Sequence, residues 1–139
     1  MPLWEKTGYD RWSLGFDDRT PIYRQIMLRF CQSFVRGDIE PGERIPSIRE
    51  MSALLKVNTN TMQRVYLEME REQLIDSKRG TGYFFTEDKK MIEKTRLDLA
   101  LGSLGRFMEE MRALGCSDRE ILNELETYIK GEKKNANRS

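Results

Sequence analysis

Residues 47–85 read SIREMSALLKVNTNTMQRVYLEMEREQLIDSKRGTGYFF, and the reading of this stretch decides the fold. It opens on a capping box: the Ser47 hydroxyl is placed to accept from the Glu50 amide while the Glu50 carboxylate reaches back to the Ser47 amide. A short helix over 47–55 follows, with Ile48, Met51, Leu54 and Leu55 at helical spacing. Lys56-Val57 is a brief turn, and Asn58 has the chemistry of a cap for the next helix, 58–71, whose apolar positions are Met62, Val65, Tyr66 and Met69. After Gln73 the period changes. Leu74 to Ser77 and Tyr83 to Thr86 are short strand-like runs separated by Lys78-Arg79-Gly80-Thr81-Gly82, where two glycines permit the positive φ of a hairpin.

Working outward toward the N-terminus, Pro41-Gly42 marks a reversal, and Gly37 stops a helix over 22–36 that starts behind Pro21. In that helix Ile22, Tyr23, Ile26, Met27, Phe30 and Phe34 recur at spacings of three and four. Residues 1–20 form an extension holding Trp4, Tyr9, Trp12, Leu14 and Phe16, and the alternation from Trp12 to Phe16 predicts a short extended piece. Toward the C-terminus, Leu97, Leu101, Leu104, Met108 and Met111 keep the a/d spacing of a helix that packs on another helix. Leu114-Gly115 ends it. Ser117 and Glu120 form a second capping box before a last helix with Ile121, Leu122, Leu125, Tyr128 and Ile129 on one face, expected to stop at Gly131. The expected organisation is an extension at 1–20, a helical domain with a hairpin at 21–87, a two-helix appendage at 88–131 and a disordered tail at 132–139.

The fold class expected from this order is mainly α with a small β-hairpin: a winged helix-turn-helix followed by a short two-helix dimerisation appendage. In such a fold the third helix can enter a major groove. With its apolar row turned inward, that helix shows Thr59, Asn60, Gln63 and Arg64 outward, groups that bond phosphates or base edges. Arg49 lies at the start of the second helix, where the backbone amides favour a phosphate. Lys78 and Arg79 flank the glycines of the hairpin tip, which can approach a nucleic-acid backbone or minor groove. Taken singly, Arg49 and Arg64 are equally well read as solvated helix charges, and Asn58 as a simple cap. Their joint placement on one architecture raises the sharper reading.

Composition narrows the classes. The chain has 139 residues, 24 Lys plus Arg against 23 Asp plus Glu, and no histidine. Without histidine the commonest general base and metal ligand are missing, and with them the Ser-His-Asp and Cys-His nucleophile arrangements. Cys31 and Cys116 make no metal-site or disulfide pattern, and no phosphate-binding glycine motif occurs. The chain therefore reads as a non-enzyme with no cofactor and no metal. No apolar run is long enough for a membrane span and no leader is legible, so a cytoplasmic protein is expected. Residues 21–90 carry 12 basic and 10 acidic side chains, so any case for nucleic acid rests on where the cations project, not on bulk charge.

The residues Pro21-Ile22-Tyr23-Arg24-Gln25-Ile26, Gly37, Pro41 to Glu50, Val57 to Met62 and Arg79 to Phe84 together resemble the GntR family of bacterial transcriptional regulators, and the short two-helix appendage resembles its YtrA-type subfamily. The resemblance covers residues 21–86 in order. Carried over by position, it implies DNA contacts at Arg49, at Thr59, Asn60, Thr61 and Gln63, and at Arg79, Gly80 and Gly82, with Ser47 at the cap position. Many members place Ser-Arg where this chain has Asn58-Thr59, so the family's arginine base reader is absent here.

The resulting DNA-binding set is Ser47, Arg49, Asn58, Thr59, Asn60, Thr61, Gln63, Arg64, Lys78, Arg79, Gly80, Thr81 and Gly82. The dimerisation set is Leu97, Leu101, Leu104, Met108 and Met111. The expected function is a sequence-specific regulator, a repressor, that binds double-stranded operator DNA as a homodimer, its effector unidentified. The alternative is a winged helix used as a protein-interaction module.

Overall fold

The computed structural model describes residues 7–137, with side chains to residue 133; Trp4 and the last residues of the expected tail lie outside them. By packing, the chain divides into two compact units, Met1–Leu97 and Asp98–Ser139.

In the first unit a 3-10 helix, Tyr9–Gly15, precedes α1 (Ile22–Arg36), β1 (Arg44–Ile45), α2 (Ile48–Leu55), α3 (Thr59–Arg71), β2 (Ile75–Lys78) and β3 (Gly82–Phe85). The sheet has three antiparallel strands in the order β1-β3-β2, with Ile45 opposite Tyr83 and Ile75 opposite Phe85. Strand β1 is an addition to the hairpin expected from sequence. Two residues are too short to show alternation, and only the pairing with β3 makes them a strand.

Residues 12–15 are not extended, contrary to the alternation there, and only Phe16 is. Gly8 takes a left-handed conformation (φ 68°) and the chain winds into the 3-10 helix. Three residues per turn bring Tyr9 and Trp12 onto one buried face and leave Leu14 85% exposed. Trp12 meets Phe30 edge-on at 4.8 Å, and Phe30 meets Tyr66 edge-on at 5.8 Å. Tyr66 in turn meets Tyr83 at 4.9 Å, while Phe34 stacks on Phe85 at 3.9 Å. One aromatic chain thus ties the extension to α1, α3 and β3, each pair adding about 0.5–1.5 kcal/mol beyond its area.

Local chemistry sets the helix ends. Ser47 Oγ accepts from the Glu50 amide at 3.1 Å and Glu50 Oε1 accepts from the Ser47 amide at 3.3 Å, completing the box. Lys56 closes α2 in the left-handed region (φ 55°), and the Val57 amide returns to the Ser52 carbonyl at 3.0 Å, so α3 begins within a few residues. The Asn58 side chain accepts from the Asn60 amide at 2.7 Å. Tyr66 Oη donates to the Pro46 carbonyl at 2.5 Å, joining α3 to the residue before the α2 cap.

Helix α4 (Lys89–Ala113) begins against the first unit, where Met91 and Ile92 pack on its core. In the second unit the turn at Gly115 (φ 85°) leads to α5 (Asp118–Asn137), whose capping box pairs Ser117 with Glu120. Helix α5 does not stop at Gly131, so residues 132–137 are helical where a disordered tail was expected. Glycine lowers helix stability by about 1 kcal/mol without forbidding it.

Candidate nucleic-acid interface

Helix α3 is built with two faces. Met62, Val65, Tyr66 and Met69 are fully buried, and the opposite face shows Thr59, Asn60, Gln63 and Arg64 to solvent, with Thr61 half-buried. Among the described residues, the side chains of Thr59, Asn60 and Gln63 make no hydrogen bond within the chain, so their donors and acceptors stay available. The Asn58 Oδ1 accepts in its cap and the Ser47 Oγ accepts in the box. Those two hold the helix ends in place while the Asn58 amide protons and the Ser47 hydroxyl proton remain free to donate.

Arg49 is exposed at the second helical position of α2, beside backbone amides that the box leaves unpaired. Its guanidinium has no partner in the described chain. Arg64 is held: its Cζ lies 3.8 Å over the Tyr23 ring and its Nη2 donates to Tyr23 Oη at 3.1 Å. Arg24 donates to the same oxygen at 3.1 Å, and these hydrogen bonds and cations, Arg24 foremost, lower the Tyr23 phenol's pKa. The sequence reading placed Tyr23 among apolar helix positions and missed it as the residue that orients Arg64; a tyrosine at such a spacing carries no signal of its own.

At the wing tip, Gly80 (φ 76°) and Gly82 (φ 117°) take conformations that L side chains avoid, and the Thr81 amide closes the turn on the Lys78 carbonyl at 3.0 Å. Lys78 Nζ sits 4.6 Å from the Phe84 ring centroid, whereas Arg79 projects freely. Arg44 was absent from the expected site. Its strand pairing lays the side chain against the wing, where a methyl on Gly82 would lie 3.0 Å from Arg44 Nε. The first unit therefore offers the outward row of α3, the α2 N-terminus with Arg49, and a glycine hairpin tip with Arg79, the parts a winged helix uses on DNA.

In the second unit α4 and α5 leave much apolar surface uncovered. Leu101 and Leu104, like Leu97 earlier on α4, are half or more exposed, while Met108 and Met111 are half-buried. Phe107 and Met111 from α4 and Leu125 and Tyr128 from α5 line a groove of about 350 Å³ with Glu124 at its edge. Ile121 is the one fully buried large side chain described on these two helices.

These features define a winged helix-turn-helix DNA-binding regulator. The match to a family model, "Bacterial regulatory proteins, gntR family", runs over residues 22–85. The chain is 36% identical to YhcF of Bacillus subtilis, an HTH-type transcriptional regulator, over 84% of this chain and 96% of that one. It is 29% identical to the HTH-type transcriptional repressor YtrA of the same organism, over 84% and 92%. A GntR family transcriptional regulator from Listeria monocytogenes superposes with a TM-score of 0.75 at 38% identity, covering 81% of this chain and 98% of that structure. The chain belongs to the GntR family, among its YtrA-like members, and is a DNA-binding transcriptional regulator. Among the described residues no helix is long and apolar enough to cross a membrane.

Proposed function

We propose that the protein is a homodimeric, cytoplasmic repressor that binds a palindromic operator. In this reading residues 21–87 are the DNA-binding domain and 88–131 the dimerisation region. The observation that carries it is the two-faced α3, fully packed inside and hydrogen-bond-rich outside. Thr59, Asn60 and Gln63 read base edges in the major groove. Arg49, Arg79 and Lys78 take phosphates, and Gly80, Thr81 and Gly82 let the tip come close to the backbone or minor groove. The YtrA relative of Bacillus subtilis is a transcriptional repressor, which supports the repressor sign.

The dimer rests on the second unit. Two helices that fully bury one large side chain cannot hold themselves together in water, since small units bury too small a fraction of their surface. A second copy laid on Leu97, Leu101, Leu104, Met108 and Met111 covers that surface and sets two wings on successive half-sites. A gel shift against DNA upstream of its own gene, titrated with salt and nonspecific competitor, tests the reading together with light scattering. The expected results are a discrete competitor-resistant shift and a dimer mass, lost on Leu101→Glu with Leu104→Glu. A monomer would overturn the dimer, and DNA binding without sequence preference would overturn the operator reading.

A further inference from the structure

A second site lies on the first unit, away from α3. The loop after the 3-10 helix is clamped to α1 by one side chain: Gln25 Oε1 accepts from the Asp17 amide at 2.9 Å, and Gln25 Nε2 donates to the Asp17 and Thr20 carbonyls at 2.7 and 2.8 Å. Between loop and helix is an open pocket of about 410 Å³ lined by Phe16, Arg19, Leu28, Arg29 and Gln32, among others. The residues from α1 lie roughly 120–180° around the helix from Tyr23, on the flank turned from the recognition helix.

The charge of this pocket is net positive, two guanidiniums against the one carboxylate of Asp17. Arg29 is half-buried and Arg19 is exposed, and among the described residues neither guanidinium has a carboxylate or hydrogen-bond partner. The Asp17 carboxylate that shares the pocket is already accepting from the Arg19 amide at 2.9 Å. Gly15 leaves room for the Arg29 head: a methyl there would fall 2.1 Å from Arg29 Nη2. Leu28, 44% exposed, and Phe16 supply an apolar wall, and Gln32 a neutral donor and acceptor. A partly desolvated guanidinium without a counter-ion gains from an arriving anion more than a fully solvated one does.

From this geometry we infer that the pocket binds a small organic anion, its carboxylate or phosphate held by Arg19 and Arg29 and its apolar body laid on Leu28 and Phe16. The bound molecule bridges the loop and α1. It thereby fixes the segment whose Tyr9 and Trp12 pack on Phe30, in contact with Tyr66 of α3. The site stands independently of the operator reading above.

The test is an amide-resolved NMR titration of the full chain with benzoate, against phosphate and chloride at matched ionic strength. Saturable shifts confined to residues 15–20 and 25–32 are expected with benzoate, weakened at least ~10-fold by Arg19→Gln with Arg29→Gln, a loss equal to that of one charge-assisted hydrogen bond. The exposed single variant Arg19→Gln, which leaves the core untouched, is expected to weaken binding by itself. Equal saturable shifts with phosphate would keep the anion site and remove the apolar wall's role. Shifts that do not saturate, that chloride reproduces, or that survive both substitutions in folded protein would overturn the proposal.

Discussion

Tyr66→Phe removes one oxygen from the centre of the fold. The ring stays where it is, edge-on to Phe30 at 5.8 Å and to Tyr83 at 4.9 Å, so packing and aromatic geometry survive. What goes is the 2.5 Å hydrogen bond to the Pro46 carbonyl, and Pro46 is itself buried, so water cannot replace the lost donor. A buried acceptor left without its partner costs about 1–3 kcal/mol. Truncation of the whole ring, Tyr66→Ala, adds the cavity and reaches about 3–5 kcal/mol. Urea unfolding followed by circular dichroism measures both. The expected result for Tyr66→Phe is a lower midpoint at unchanged slope, several degrees off Tm, and weakened operator binding, because Pro46 leads directly into the cap that presents Arg49. A change under ~0.5 kcal/mol, the scale of an ordinary surface substitution, would refute the argument that the buried Pro46 carbonyl depends on this donor.

Four further outcomes follow from the same structure. Arg49→Ala, at an exposed position, is expected to keep the melting curve and lower the slope of log affinity against log salt by about one, the signature of one lost phosphate. Gln63→Ala should cost about 1–3 kcal/mol on the preferred operator and relax discrimination at one base pair, measured by competition with single-position operator variants. Gly82→Ala, at φ 117° and against Arg44, should destabilise the wing and weaken DNA binding while α1 to α3 stay folded, as amide exchange of β2 and β3 would show. Burial raises the pKa of Tyr9 and Tyr66 above the ordinary tyrosine value. Folding therefore holds their protons, the stability this contributes is full below about pH 10 and is lost as pH rises further, and Tyr66→Phe should flatten that alkaline loss in pH-dependent melts.

The helices and their ends were legible because their signals are local. The Ser47 and Ser117 boxes each need only a hydroxyl and a carboxylate three residues apart, and both form as read. The buried row Met62, Val65, Tyr66 and Met69 follows from the 3.6-residue period. Where the structure departs from the reading, the cause is a partner distant in sequence or a residue that permits two states. Strand β1 exists through β3. The 3-10 turn at Tyr9 forms because Trp12 finds Phe30, and Gly131 sits inside a helix it was expected to end. Arg64, chosen for its place on the outward face, is held by an α1 tyrosine 41 residues away.

The amino-acid sequence by itself determined the order of elements, the inward face of each helix of the DNA-binding domain and the family, since these depend on periodicity, caps and turn residues within a few positions of one another. Tertiary structure alone decided which polar groups of the outward face remain unspent, that Arg44 joins the wing, that Arg19 and Arg29 meet across a pocket, and that the apolar rows of α4 and α5 stay uncovered. Those are properties of side chains brought together by packing, and no spacing along the chain encodes a neighbour that only the folded core supplies.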